Sequence, residues 1–399
     1  MKSAQCPIPK QRYDRVLLGH GSGGTLTQSL IDEIFYPAFS NPFLQQQHDG
    51  TVLPLMSQHI AFTTDSFVVS PLFFPGGNIG DLAVNGTVND LLCCGATPLY
   101  LSAGFILEEG LPLEDLKKIV KTMAKAAEKA GITIVTGDTK VVEKGKCDGV
   151  FINTSGIGSI QKNLRISPKN ATEGDIVIVT GPIGEHGVCI LSTRENLGFE
   201  SKIKSDTVAL RSMVMNLLSG IPNIHMLRDA TRGGIASTLN EIADTAQVSI
   251  ALDESKIPIE EPVLSACELL GLDPLYVANE GVLLVILPPE EAESALQIIK
   301  NDPNGSKAEI IGEVVKGTPG EVYLNTALGS SRIIGRLSGE QLPRICSAVL
   351  RSFFPIAIEA CGAPPPPTSA AKAEMIIISG IHTPTPVRAS APLPGMCPM

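Results

Sequence analysis

No excess of basic charge marks this 399-residue chain: 31 Lys and Arg stand against 41 Asp and Glu, a net charge of -10. A general nucleic-acid binder displaces counterions with a basic surface, so no nucleic-acid partner is expected. Nor does any apolar run approach the ~20 residues that span a bilayer, so no membrane partner is expected either. The longest, residues 282–287, stops at Pro288-Pro289. Residues 1–12 are polar and lack the apolar core of a secretory signal. The nine cysteines are scattered and form no CxxC. A disulfide framework and a structural zinc site are therefore not expected, and a cytoplasmic location is. No GxxxxGK[ST] loop occurs, so any nucleotide would bind without a Walker loop.

What is present is apolar: 43% of residues are hydrophobic and 18% charged, enough for large cores. At roughly 100 to 200 residues per domain, the length predicts two or three domains. Composition changes near the end, where residues 347–399 hold Pro355, Pro364, Pro365, Pro366, Pro367, Pro384, Pro386, Pro392, Pro394 and Pro398. Each proline removes a backbone donor and blocks helix and sheet, so this extension is expected to be disordered.

The body alternates strands and helices, which predicts α/β or α+β architecture. Over residues 113–130, Leu116, Ile119, Val120, Met123 and Ala127 recur at helical spacing, and Gly131 suits a left-handed cap. The apolar run 132–135 then reads as a buried strand that breaks into Thr136-Gly-Asp-Thr-Lys140, where an open sheet would present ligand-binding residues. A second half restarts at the strand 175–180 and a glycine loop over 181–187. The domain boundary falls in the polar stretch 161–174.

Several constellations carry potential chemistry. Gly19-His20-Gly21-Ser22-Gly23-Gly24 matches GxGxxG before a helix expected from Thr25, yet lacks the βαβ surroundings of a dinucleotide fold. A phosphate-wrapping loop and a plain turn are both open for it. Asp65, Asp81, Asp90, Asp138 and Asp229 stand beside glycines or strand ends. Acids from separate loops that converge on a triphosphate would suit Mg²⁺, which takes few carboxylates plus phosphate oxygens. On one helix, Asp81 and Asp90 would lie about 180° apart, so only one can face a metal. Glu280 in Asn279-Glu280-Gly281 reads as a base or a loop anchor. Cys93, Cys94 and Cys189 read as small buried hydrophobes, whereas Cys346 ends a segment that could swing.

Taken in order, His20-Gly-Ser-Gly-Gly24, Thr64-Asp65-Ser66, Ser70-Pro-Leu-Phe-Phe-Pro-Gly-Gly77, Gly86-Thr-Val-Asn-Asp90, Thr136-Gly-Asp-Thr-Lys140, Arg228-Asp-Ala-Thr-Arg-Gly-Gly234, Val277-Ala-Asn-Glu-Gly281 and Pro343-Arg-Ile-Cys346 resemble the HypE family of hydrogenase maturation proteins. That family belongs to the superfamily of aminoimidazole ribonucleotide synthetase and selenophosphate synthetase. The resemblance implies a two-domain synthetase fold: residues 1–163 as an ATP-binding and dimerisation domain that forms a β-barrel across a homodimer interface, and 164–336 as an α/β sandwich. It further implies a mobile tail, 337–346, that carries the reactive cysteine ahead of the extension 347–399.

The implied activity is a carbamoyl dehydratase. HypF loads a carbamoyl group on Cys346, ATP drives its dehydration to a thiocyanate, and cyanide passes to iron on the HypC and HypD scaffold. Carried over motif by motif, Gly21, Ser22, Gly23, Gly24, Asp65, Asp90, Asp138, Thr139 and Asp229 would bind nucleotide, with Asp65, Asp90 and Asp229 on Mg²⁺. Lys140 would stabilise the transferring phosphoryl group, Glu280 would accept an amide proton, and His20 would lie close to the phosphates. In the family the cysteine is terminal, whereas 53 residues follow it here. Proteolytic removal, a tolerated appendage and a disabling frameshift each account for them. The competing classes are another ATP-using synthetase of the superfamily and a non-catalytic nucleotide-binding scaffold.

Overall fold

The computed structural model describes residues 13–21, 25–44, 53, 59–160, 164–197 and 203–336. Ser22, Gly23, Gly24, Cys346 and the extension 347–399 lie outside the described residues.

The first half begins with α1 (Thr25–Leu30), a π-helical turn (Ile31–Phe35) and α2 (Tyr36–Phe39). There follow β1 (Ile60–Phe67), the short hairpin β2 (Phe73–Phe74) and β3 (Gly77–Asn78), α3 (Ile79–Cys93), β4 (Ala96–Glu108), α4 (Leu113–Ala130), β5 (Thr133–Val142) and β6 (Val150–Ile160). Four strands make one sheet in the order β1-β6-β4-β5, antiparallel except for the β4–β5 pair that α4 crosses over. The sheet is open, with β1 and β5 at its edges.

Helix α4 forms as its spacing predicts: Leu116, Ile119, Val120, Met123 and Ala127 are buried, each of the larger ones contributing ~1.5–3 kcal/mol. Gly131 closes it at φ +60°. Helix α3 starts at a capping box in which Asn78 Oδ1 accepts from Gly80 N and Asp81 accepts from Asn78 N. Asp81 is thus the structural one of the two acids on this helix.

The second half comprises β7 (Ile176–Val179), α5 (Glu185–Glu195), α6 (Arg211–Gly220), β8 (Met226–Asp229), α7 (Gly234–Ala246), β9 (Ser249–Asp253), α8 (Glu261–Leu270), β10 (Leu283–Leu287), α9 (Pro289–Lys300), β11 (Glu309–Val315), β12 (Val322–Asn325) and β13 (Ser331–Ile333). Its seven strands run β13-β12-β9-β11-β7-β10-β8. Alternate residues of β10 enter different cores: Leu283, Val285 and Leu287 pack with the first half's helices and α9, Leu284 and Ile286 with α7. Burial on both faces is why residues 282–287 are uninterruptedly apolar. Among the described residues no helix is long and apolar enough to cross a membrane.

One expectation is corrected. The strand at 132–135 does not break at Thr136; β5 runs on through Lys140 because β4 continues beside it, pairing Ala103 with Gly137, Gly104 with Asp138 and Ile106 with Lys140. Polar side chains there belong to a half-exposed edge strand rather than to a loop. Cys94, expected to be buried, is exposed because it caps α3 after the last turn, whereas Cys189 is fully buried.

Candidate active site

Edge strand β1 of the first sheet and edge strand β8 of the second both pack against α3. Each carries an acid. Asp65, on β1, receives a 2.7 Å hydrogen bond from Ser66 N. Asp90, in the last turns of α3, accepts from Thr63 Oγ1 at 2.9 Å. Asp229 ends β8, paired with Leu283. Glu280 reaches the same place from the loop before β10, where a methyl group at Gly86, one turn below Asp90, would lie 3.8 Å from Glu280 Oε2.

The electrostatics report this crowding. Burial, then the Asp229 charge, push Asp90 up to about 7, with Asp65 adding to the rise. Burial likewise raises Asp65 and Asp229. Glu280 is driven well above the usual carboxylate range by burial and then by Asp206, Asp229, Asp65 and Asp90.

Asp206 is a residue that sequence reading missed. Its carboxylate accepts from Glu280 N and from Gly281 N at 2.9 Å, and burial lifts it to about 6. Gly281 must be glycine, since a Cβ there would meet the Asp206 carbonyl oxygen at 2.0 Å. Asn279, fully buried, donates to Ala230 O and accepts from Gly184 N, so one side chain ties the Glu280 loop to the end of β8 and to the start of α5. Asn89 completes the frame, accepting from Leu210 N and donating to Val208 O.

Other expected residues stand elsewhere. Lys140 and Asp138 form a 2.8 Å ion pair, about two-thirds exposed, and the lysine holds the Asp138 carboxyl below its usual range. The cross-strand row Asp65, Thr154, Ala103, Gly137 faces the helices, since Thr154 bonds to Ala83 O on α3. The next row, Ser66, Asn153, Gly104, Asp138, faces the other way, as does Lys140. Within one chain, then, the Asp138–Lys140 pair is three strand spacings, about 14 Å, from Asp65 and on the opposite face. Thr139 shares the helix face and lines, with Phe35, Tyr36 and Phe105, an apolar cavity of about 210 Å³. His20 is 4% exposed, its Nδ1 accepting from Leu17 N at 2.9 Å, and Gly21 ends the 3₁₀ turn that His20 closes.

Among the described residues no three acidic, thiol or imidazole side chains are close enough to hold a metal ion on their own. The repelling acids fit Mg²⁺ in its usual role, where one or two carboxylates share the ion with phosphate oxygens.

The fold and this site match known proteins. Residues 47–160 match the N-terminal domain, and residues 172–325 the C-terminal domain, of AIR synthase related proteins. Carbamoyl dehydratase HypE of Azotobacter vinelandii is 52% identical over 335 residues, which cover 84% of this chain and 98% of that one. The crystal structure of hydrogenase maturation protein HypE in complex with ATP superposes with a TM-score of 0.80 at 48% identity, covering 83% of this chain and 99% of that one. HypE in a HypE-HypF complex gives 0.68 at 50% identity, over 77% and 100% of the two chains. The chain belongs to the HypE family of carbamoyl dehydratases, within the AIR synthase related proteins.

Proposed function

We propose that the chain dehydrates an S-carbamoyl group on Cys346 to a thiocyanate at the expense of ATP, supplying cyanide for the iron of a nickel-iron hydrogenase. The carbamoyl oxygen attacks the γ-phosphorus, the bond to ADP breaks, and nitrogen gives up one proton. Loss of the second N–H proton and cleavage of the C–O bond then expel phosphate and leave the S–C≡N group. Phosphorylation is needed because an amide oxygen is a poor leaving group, and sulfur is suited to carry and later release the cyano group.

The observation that carries this reading is the convergence of Glu280 with Asp65, Asp90 and Asp229. Burial and the neighbouring acids raise the proton affinity of Glu280, the property wanted of a group that takes up the nitrogen protons. Asp65, Asp90 and Asp229 would hold Mg²⁺, which would neutralise phosphate charge when bound. Gly21, Ser22, Gly23 and Gly24 would cover the phosphates, with His20 fixing the start of that loop.

Asp138, Thr139 and Lys140 belong to the same reaction if a second copy delivers them. Residues 1–163 act as the dimerising domain in this reading, 164–336 as its α/β partner, and 337–346 as the arm bearing Cys346. Support for a homodimer is the open sheet face, where Phe62 is 64% exposed and Ile60 and Ile106 are also uncovered. A barrel closed by two such sheets would bring the β5 edge of one copy to the β1 edge of the other. HypF would load Cys346, and a HypC-HypD complex would receive the cyanide.

The test is phosphate release from the S-carbamoylated protein. One phosphate per carbamoyl group is expected, and none from Cys346→Ala. Equal ATP turnover by Cys346→Ala would sink the assignment.

A further inference from the structure

Four carboxylates, Asp65, Asp90, Asp229 and Glu280, converge where a triphosphate would have to come, and few cations answer them. Arg228 Nη2 is engaged by Glu241 at 2.8 Å. Lys140 is engaged by Asp138 on the far sheet face. Arg211 is spent on the carbonyls of Ala130 and Gly131 at the end of α4. Arg232 differs from all three: it is exposed, and its guanidinium makes no hydrogen bond or ion pair among the described residues.

Its backbone is nonetheless fixed. Arg232 lies in the turn between Asp229 and α7, where Ala230 N donates to Val282 O, Asn279 N to Ala230 O and Gly234 N to Thr231 O. Gly233 and Gly234 follow at φ +78° and +59°, and a Cβ on Gly234 would meet Leu275 O at 2.4 Å. The turn therefore packs on the segment that leads to Glu280, with Arg232 three residues past Asp229. A fixed backbone that carries an unengaged guanidinium beside the acids is suited to receive an anion, because the planar fork matches phosphate in two parallel hydrogen bonds. The field of Arg232 already reaches Asp65, whose carboxyl it partly stabilises.

We propose that Arg232 grips the β- and γ-phosphate oxygens of ATP from the same chain that carries Asp65, Asp90 and Asp229. This rests on the reading of the acid cluster as an ATP site, and it assigns to Arg232 the in-chain charge neutralisation that Lys140 cannot supply from its own chain. A guanidinium placed there binds phosphate groups and not the base, so its loss is felt by ATP in proportion to phosphate content.

The experiment is calorimetric titration of the full chain with ATP and with AMP in the presence of Mg²⁺, for wild type, Arg232→Ala, Arg232→Gln and Arg232→Lys. Arg232→Ala and Arg232→Gln are expected to weaken ATP ~10–100-fold and AMP by less than about 3-fold, and Arg232→Lys to recover part of the loss. Thermal melts within a degree or two of wild type are expected, because the side chain is exposed, and the Gln variant, which keeps a polar side chain, serves as the second neutral variant if Ala does not fold. ATP binding unchanged in both neutral variants would overturn the proposal alone. A wild-type chain that does not bind ATP would overturn the reading of the site, and equal weakening of ATP and AMP would show a structural effect of Arg232 rather than a phosphate contact.

Discussion

Glu280 has its backbone held by Asp206 and its carboxyl held against three other acids, two separate constraints on one residue. Replacement by Gln keeps the shape and the backbone bonds while removing the proton acceptor. Dehydration is expected to fall by ~10²–10⁴-fold with ATP affinity within a few-fold of wild type. Retained thiocyanate formation, read by mass, would remove Glu280 from the mechanism. Asp90 is a second case, because function and stability pull on it in opposite directions. Its folded value of about 7 lies above the ordinary 3.8, so its stabilising contribution is complete below about pH 4 and is lost as pH rises through 7. Asn in its place can still accept from Thr63, carries no charge and should stabilise the nucleotide-free protein by ~1–2 kcal/mol at pH 8, the gain vanishing near pH 4. The same variant should bind Mg²⁺-ATP at least ~10-fold more weakly. A lower melting temperature at pH 8 would contradict the view that these acids repel one another.

At the scale of elements, the site depends on how the loop before β10 is pinned. Asn279 bonds to Ala230 and to Gly184, so Asn279→Ala leaves the buried Gly184 amide without its acceptor and Ala230 O with only the backbone bond from residue 279, and should cost ~1–3 kcal/mol. Its turnover should fall even where the protein remains folded, since Glu280 loses its frame; denaturant titration and single-turnover rates separate the two. Much of this was legible in the sequence. The periodicity of α4 fixed its buried face, and short acid-bearing motifs marked β1, α3 and β8, because glycines and strand ends leave local signatures. Asp206 left none: it sits in the irregular segment 203–210, and its value comes only from a loop 74 residues later in the chain. The path of β5 was hidden for a related reason. Thr136-Gly-Asp-Thr-Lys140 reads as a loop in isolation, and pairing with β4 makes it a strand, which then decides that Lys140 points away from Asp65.

For the whole molecule, the buried ionisable groups set how stability varies with pH. Burial lifts Asp206 to about 6, and burial with the Asp206 charge lifts Glu185 to about 7, so like Asp90 they lose stabilisation as pH rises through these values. His186 works in the opposite sense: burial lowers it to about 3, so its cost begins as pH falls below the ordinary 6.5. Between pH 8 and 6 the acids dominate. The melting temperature without nucleotide should therefore be higher at pH 6 than at pH 8, and Mg²⁺-ATP should narrow the difference by satisfying the acid cluster; a difference unaltered by Mg²⁺-ATP would place those charges elsewhere.

Assembly is the other property of the whole. If the proposed homodimer forms through this face, Phe62→Asp, at a position open to solvent in the single chain, should fold normally, run as a monomer in light scattering and lose most ATP turnover, since the proposed delivery of Lys140 by a second copy would fail. A fully active monomer would refute delivery across the interface.

The most direct measurement is the intact mass of the full chain, incubated with the HypF carbamoyltransferase, carbamoyl phosphate and ATP, followed by peptide mapping across Cys346. One carbamoyl group should appear on Cys346 and then lose one water to leave a cyano adduct, with the Glu280→Gln protein halted at the carbamoyl stage. A full-length chain that binds ATP and is carbamoylated on Cys346, yet never loses that water, would contradict the assignment of this site as a dehydratase.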